Sequence, residues 1–313
     1  MKVLHLYSKY VNTISNLYDQ VNAHKKTIKT VVLWCPEELT VCWLKPEQRY
    51  EVEAYLQNLN IEFLIHTNRE MPMYWAFHTV YSNLYENKTL PIKSERLRKT
   101  FVTLNGKGWG HRCQFIDKLA ELDLLKTNYY SWNLWNQEVV NSNYKFNYFD
   151  GKTKLLDNPD PNNYYNIPNE FKTSLFSVIC ETSLNNIFFT EKLWHAIYHK
   201  RPFVVYGAPN YHARLQELGF KLFEPVIKYD FDQEHRTARR LEMIGDQLKR
   251  LQKYSKSLQG VREYFEPTLE HNFQNMLRLL DNEPQPRYLL EGDCKYKSIL
   301  QINTLQKFRK LMK

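Results

Sequence analysis

The sequence predicts an α/β protein with two Rossmann-like parallel-sheet domains that face each other across a cleft, followed by C-terminal helices. Short apolar runs alternate with stretches of helical spacing, and this alternation restarts after a charged, apolar-poor segment at residues 88–99. Residues 236–257 and 261–280 then carry helical patterns after the last apolar run. The predicted parts are two domains and a basic tail, at residues 1–95, 96–285 and 286–313.

The first part of the chain has the pattern of a strand–helix–strand unit. Residues 30–35 form a continuous apolar and β-branched run, as in a strand covered on both faces. Residues 48–59 place apolar side chains at helical spacing, and residues 61–65 are a second strand candidate. Strands joined by a helix of this length pair in parallel, so a parallel sheet is expected.

The second part repeats this order with more elements. Strands are predicted at residues 100–104, 129–132, 174–180 and 203–206, and helices at residues 112–125, 191–200 and 210–218. Residues 133–172 are rich in Asn, Asp, Pro and Tyr, which indicates a long surface excursion. Ligands of such sheets bind outside the carboxyl ends of the strands, so a site is expected in the segments that directly follow them.

Composition limits the class of protein. The 313 residues are 43% hydrophobic and 15% aromatic, which supplies a sizeable core and excludes intrinsic disorder. No apolar run reaches the roughly 18 residues of a membrane span, so no integral membrane contact is expected. Five scattered cysteines without a CxxC pair predict free thiols in a reducing, cytoplasmic setting. No His or Cys spacing is typical of a metal site, so neither metal nor cofactor is expected.

Three of the nine glycines fall within five residues, between a predicted strand and a predicted helix. The segment from Asn105 to Arg112 reads Asn-Gly-Lys-Gly-Trp-Gly-His-Arg. Closely spaced glycines let the backbone approach a bulky anion, and the start of the following helix favours negative charge. Lys107 and Arg112 add cations suited to phosphate. The segment matches neither the Walker nor the GxGxxG pattern, so a diphosphate-binding loop and an ordinary flexible turn are both open.

A second cluster follows the predicted strand at residues 174–180. Glu181 comes directly after this strand, and Thr190, at the expected N-cap, precedes Glu191 and Lys192 in the first turn of the next helix. Glu191 can accept hydrogen bonds from the hydroxyls of a ribose, and Lys192 can neutralise phosphate oxygens. The alternative is that Glu191 only complements the helix dipole and that Lys192 is a solvated surface charge.

Residues 190–207 resemble a stretch of the α1,3-fucosyltransferase-like glycosyltransferases, in which Thr-Glu-Lys opens a helix and a turn leads into an apolar strand. Residues 101–105, followed by Arg112, are similar to another part of that family's donor domain. The chain resembles more closely a set of phage and marine-microbial proteins labelled glycosyltransferases. The likeness covers residues 100–229, which is less than half of the chain.

The resemblance implies a metal-independent GT-B fold, in which the second domain holds a nucleotide-sugar and the first presents the acceptor. The nucleotide-sugar, linked through UDP or GDP, is a co-substrate. Arg112 and Lys192 would touch the diphosphate, and Glu191 the ribose. Glu181 stands where the family has an acidic residue, but Thr182 replaces the Asn that usually follows it. The implied donor-binding residues are Asn105, Gly106, Lys107, Arg112, Glu181, Thr190, Glu191 and Lys192.

The catalytic base does not carry over from the resemblance, because nothing in the first domain matches the family. An inverting enzyme needs a carboxylate or a histidine that takes the proton of the acceptor hydroxyl. Glu37 and Glu38 follow one predicted strand, and His66 follows the next, so these three are the candidates. Each is equally well explained as a solvated side chain at a strand end.

Positive charge is concentrated towards the C-terminus. Residues 236–313 hold 16 Lys or Arg against 9 Asp or Glu, and residues 295–313 contain six basic and no acidic side chains. Such a tail favours contact with a polyanion. The expected acceptor is therefore either a glycan or a hydroxymethylated base of phage DNA, in the host cytoplasm if the protein is phage-encoded. The alternative from another class is a non-catalytic nucleic-acid-binding module that uses the basic C-terminal region.

Overall fold

A computed structural model describes residues 2–7, 13–35, 46–67, 76, 79–80, 91, 96–106, 108, 110–132, 144–154, 156 and 167–282. The strands there are β1 (Lys2–Tyr7), β2 (Ile28–Cys35), β3 (Glu62–Thr67), β4 (Lys99–Asn105), β5 (Tyr129–Trp132), β6 (Ser174–Cys180) and β7 (Phe203–Tyr206). The α-helices there are α1 (Ile14–His24), α2 (Pro46–Asn58), α3 (Gly110–Glu121), α4 (Leu124–Thr127), α5 (Asn169–Lys172), α6 (Glu191–Tyr198), α7 (Tyr211–Glu217), α8 (Thr237–Leu251) and α9 (Leu258–Asn282).

The chain divides into two compact units. The first unit comprises residues 1–74 and the chain from Leu279 onward, and the second comprises residues 75–278. The predicted boundary at residue 95 adjoins residues outside the described ranges, and the basic tail at 286–313 lies wholly outside them, so both stay predictions. No helix in the described ranges is both long enough and apolar enough to span a membrane.

The first unit contains a parallel sheet with the strand order β1-β2-β3. Thr13 caps α1, because its Oγ1 accepts a hydrogen bond of 3.1 Å from the backbone N–H of Asn16. Leu17 and Val21 of α1 pack in one core with apolar residues of β1, β2 and α2. The predicted strand–helix–strand unit is confirmed, whereas β1 and α1 were not predicted, since polar residues such as His5 interrupt the apolar pattern.

The second unit contains a parallel sheet with the order β5-β4-β6-β7. From β4 the chain passes to β5 on one side and then returns to β6 on the other side, so the strand order reverses between β4 and β6. In open parallel sheets, ligands bind outside the carboxyl ends of the strands at such a switch point. Thr103 pairs with Val178, and both strands end two residues later, at Asn105 and Cys180. The carboxyl ends of β4 and β6 therefore lie level.

Two predicted helices of the second unit have different bounds in the structure. The helix predicted at 112–125 is two helices, because Asp123 adopts a left-handed conformation (φ 56°) between α3 and α4. The helix predicted at 236–257 ends at Leu251, where a 3-10 turn over Gln252–Tyr254 follows. Strand β6 is buried at all seven positions, as its continuous apolar run predicts.

Part of the predicted surface excursion packs against α3. The carboxylate of Asp117 accepts hydrogen bonds from the backbone N–H groups of Asn147, Tyr148 and Phe149, at 2.8–3.0 Å. Lys154 then forms an antiparallel bridge with Trp132, the last residue of β5. These contacts hold residues 144–154 beside the carboxyl end of β5.

Candidate functional site

Asn105 is the last residue of β4 and is fully buried. Its backbone N–H donates to Oγ of Ser131 at 3.0 Å, and its Nδ2 donates to Oγ1 of Thr103 at 3.3 Å. Its Oδ1 has no hydrogen-bond partner among the residues that the structure describes. Buried acceptors nearly always have a partner, so this oxygen is a candidate to receive a hydrogen bond from a ligand.

Open space adjoins Gly106, the first residue after β4. A Cβ atom built on Gly106 would meet no atom of the described residues within 4 Å, and the backbone there is outside the left-handed region. The glycine therefore provides room for a neighbouring group and does not relieve backbone strain. Lys107, the next predicted donor contact, lies outside the described residues.

Arg112 lies in the first turn of α3 and is only 3% exposed. Its Nη2 donates to Oγ1 of Thr182 at 3.1 Å, while its Nε has no partner within the described ranges. No described carboxylate forms an ion pair with this guanidinium. A buried guanidinium with a free N–H is suited to a charge-assisted, bidentate bond to phosphate oxygens.

His111 ties the start of α3 to the end of β6. Its Nε2 lies 2.9 Å from the backbone oxygen of Glu181, and burial lowers its pKa. A neutral ring that donates from Nε2 satisfies this contact. Together with the bond from Arg112 to Thr182, it joins the two sides of the switch point. Sequence reasoning identified neither His111 nor Thr182 as part of the site.

Glu181 follows β6 directly, is fully buried, and accepts three hydrogen bonds. Its Oε1 accepts from the hydroxyl of Tyr211 at 2.7 Å and from the backbone N–H of Thr190 at 3.3 Å. Its Oε2 accepts from the hydroxyl of Thr190 at 2.8 Å. Burial raises the pKa of Glu181, although Lys192 and these donors oppose the rise. The carboxylate therefore holds the start of α6 in place, and a direct donor contact from it stays a prediction.

Thr190 stands at the N-cap of α6, as its position in the sequence predicts. Its side chain makes no capping hydrogen bond, and its hydroxyl donates to Glu181. Thr190 therefore caps none of the first-turn N–H groups of α6 with its side chain.

Glu191 and Lys192 form an ion pair in the first turn of α6. Nζ of Lys192 lies 2.9 Å from Oε1 of Glu191, and the two side chains are 19% and 14% exposed, respectively. Burial alone would raise the pKa of Glu191, but the neighbouring ammonium holds it below its usual value. The carboxylate of Glu191 therefore stays charged at neutral pH.

Arg112 and Lys192 act on the same strand end. Burial raises the pKa of the Cys180 thiol to about 12, and both cations oppose this rise. Arg112 reaches the segment after β6 from α3 through its bond to Thr182, and Lys192 lies in the first turn of α6, whose N-cap Thr190 is bound to Glu181.

The side chains of the three candidate bases are not among those that the structure describes. Glu37 and Glu38 lie outside the described residues, and of His66 only the backbone is described, in β3 opposite Trp34. They stay predictions. In the described ranges, no group of three or more His, Cys, Asp or Glu side chains is arranged to hold a metal ion.

No protein-family model and no curated protein matches the chain. Among solved structures, the chain is similar to a crystal structure of the DNA-modifying enzyme β-glucosyltransferase, determined with and without its substrate uridine diphosphoglucose. The similarity covers 99% of this chain and 81% of that chain, with 11% sequence identity and a TM-score of 0.46.

Proposed function

We propose that the protein is a glycosyltransferase, which transfers a sugar from a UDP- or GDP-linked donor to a hydroxyl acceptor. One observation carries the proposal: Arg112 is buried at the switch point, its Nε has no partner among the described residues, and Lys192 lies at the start of the helix that follows the same strand end. Cleavage of the bond between sugar and nucleotide develops negative charge on the departing diphosphate. Fixed cations and helix starts stabilise this charge without a metal ion.

The residues have distinct roles in this proposal. Arg112 and Lys192 bind the diphosphate, and the open space beside Gly106 lets it approach the start of α3. Asn105 offers its free Oδ1 to a hydroxyl of the donor. Glu191 accepts hydrogen bonds from the ribose hydroxyls. Lys107 is proposed as a further cation, and Glu181 with Thr190 holds the start of α6.

The finer assignments rest on the resemblance and on charge. We propose a GT-B architecture, with the acceptor and the base (Glu37, Glu38 or His66) supplied by the first domain. The acceptor is a glycan or a hydroxymethylated base of phage DNA, which the basic residues 286–313 would contact. The free thiols of Cys113 and Cys180 support a reducing compartment, the cytoplasm of the producing or the host cell.

Thermal unfolding with UDP, GDP and CMP tests the donor site. A nucleotide at one hundred times its Kd stabilises the folded protein by about 2.7 kcal/mol, so the transition temperature should rise with one of them. The matching nucleoside without phosphates is the control and should have little effect. A protein that responds to DNA but to no nucleotide is a binding module, and this outcome would contradict the proposal.

Release of free nucleotide then identifies the acceptor. The nucleotide-sugar of the stabilising nucleotide is incubated with saccharides or with hydroxymethylated duplex DNA. With DNA as acceptor, binding weakens steeply as salt rises, because phosphate contacts release counterions. Turnover that is insensitive to salt indicates a glycan.

A further inference from the structure

The ion pair of Glu191 and Lys192 joins direct neighbours on a helix. Successive helical residues point about 100° apart and do not normally face each other. By contrast, the ion pair of Lys118 and Glu121 on α3 joins residues three apart. The Glu191 carboxylate therefore turns towards the ammonium at the very place where the proposed function puts a diphosphate.

The charges near this strand end cancel. Arg112 and Lys192 contribute two formal positive charges, while Glu181 and Glu191 contribute two negative ones. Glu181 is engaged by Thr190 and Tyr211, so its carboxylate faces donors that belong to the fold. Glu191, in contrast, has Lys192 as its side-chain partner. An anion that approaches Lys192 therefore competes with the carboxylate of Glu191.

We infer that Glu191 makes the site selective for nucleoside diphosphates over bare pyrophosphate, because it occupies Lys192 until a ligand supplies hydroxyl donors in exchange. The inference rests on the proposed function. Pyrophosphate takes Lys192 and leaves the Glu191 carboxylate beside a second anion, without its ammonium partner. A nucleoside diphosphate also brings the 2′ and 3′ hydroxyls of its ribose, which donate to that carboxylate. The selectivity then arises because repulsion from Glu191 weakens the binding of pyrophosphate.

The burial of the pair makes this cost large. Both side chains are less than one-fifth exposed, so water does not readily solvate a displaced carboxylate. The neighbouring ammonium lowers the pKa of Glu191, so the carboxylate is ionised in the pair before a ligand approaches.

The variant Glu191→Gln tests the inference by isothermal titration at constant ionic strength. Glutamine keeps the size of the side chain and removes the charge. Pyrophosphate should bind the variant about three- to tenfold more tightly than the wild type, since less repulsion remains. The nucleotide that the wild type binds, UDP or GDP, should bind about tenfold more weakly, since hydrogen bonds to a charged group are lost.

Two comparisons sharpen this test. The wild type should bind the nucleotide more tightly than its 2′-deoxy analogue, and Glu191→Gln should distinguish the two much less. The control variant Glu121→Gln removes a carboxylate from the Lys118–Glu121 pair in the last turn of α3, and should change neither affinity. A change in this control would show a general charge effect and would overturn the inference.

The remaining outcomes of this titration contradict either the inference alone or the proposed function as well. Weaker binding of both ligands to Glu191→Gln, or unchanged binding of pyrophosphate, contradicts the inference and leaves the proposed function intact. Equal affinity of the wild type for pyrophosphate and for the nucleotide also contradicts the inference and leaves the proposed function intact. A wild type that binds no nucleotide overturns the proposed function, and with it the inference.

Discussion

Arg112 and Thr182 are joined by a hydrogen bond of 3.1 Å although they lie 70 residues apart in the sequence. The bond connects the first turn of α3 with the segment that follows β6. Because His111 makes a parallel contact to the backbone of Glu181, two adjacent residues of α3 bridge the switch point. The cation is thereby held in place before any ligand binds, which is how binding sites avoid the cost of ordering their own side chains.

Arg112→Lys should weaken nucleotide binding by about ten- to a hundredfold, because lysine keeps the charge but lacks the planar fork that binds two phosphate oxygens. Titration of UDP or GDP measures the change. Arg214→Lys on α7 is the control, since Arg214 forms an exposed ion pair with Glu217. Equal affinities of wild type and Arg112→Lys would remove Arg112 from the site.

Tyr211→Phe should lower the free energy of unfolding by about 1–3 kcal/mol, because a buried carboxylate loses one of its donors. The hydroxyl of Tyr211 lies 2.7 Å from Oε1 of Glu181. Urea unfolding measures the loss, and the same change at Tyr264, which is 61% exposed, should cost less than about 0.5 kcal/mol. Equal effects at the two positions would show that this bond does not stabilise the fold.

Gly207→Ala and Gly260→Ala should have opposite effects. A Cβ atom on Gly207 would lie 2.8 Å from Cδ2 of Tyr211, whose buried ring cannot retreat, and this overpacking costs about 1–3 kcal/mol. A Cβ atom on Gly260 in α9 would meet nothing within 4 Å in the described part of the chain, so alanine there should stabilise the helix by about 0.5–1 kcal/mol. Unfolding in urea gives both values, and changes of the same sign would contradict this description of the packing.

Local patterns predicted the second sheet well. Strands β5, β6 and β7 have the predicted bounds, and α6 begins at Glu191 as predicted. The apolar run of β6 is readable because both faces of the strand are buried, so nothing polar interrupts it. Arg112 and Lys192 were predicted as donor-binding cations because each lies at the start of a helix that follows a predicted strand.

The partners of these groups were not predictable. Tyr211 is 30 residues from Glu181, and no local pattern shows that it donates to that carboxylate. Thr190 lies at the predicted N-cap of α6, but no local pattern shows that its hydroxyl donates to the buried Glu181. The one signal in the sequence was the position of Glu181 directly after a buried strand. A carboxylate buried there needs several hydrogen-bond donors nearby.

The free energy of unfolding of Glu181→Gln, relative to that of the wild type, should increase as pH rises. The pKa of Glu181 is raised by burial, so the folded state binds a proton more tightly than the unfolded chain does. The wild type therefore loses stability as pH rises from the unfolded value of about 4.3 through the folded pKa, whereas glutamine does not titrate. Urea unfolding between pH 4 and pH 8 checks this, and a stability difference that falls or stays constant with pH would contradict it.

The position of the diphosphate in a complex tests the central claim most directly. A crystal structure with the nucleotide that most raises the unfolding temperature should place a phosphate oxygen about 3 Å from Nε of Arg112, and another within the same distance of Nζ of Lys192. A nucleotide bound elsewhere, or a phosphate that contacts neither cation, would contradict the claim that these two residues hold the leaving group.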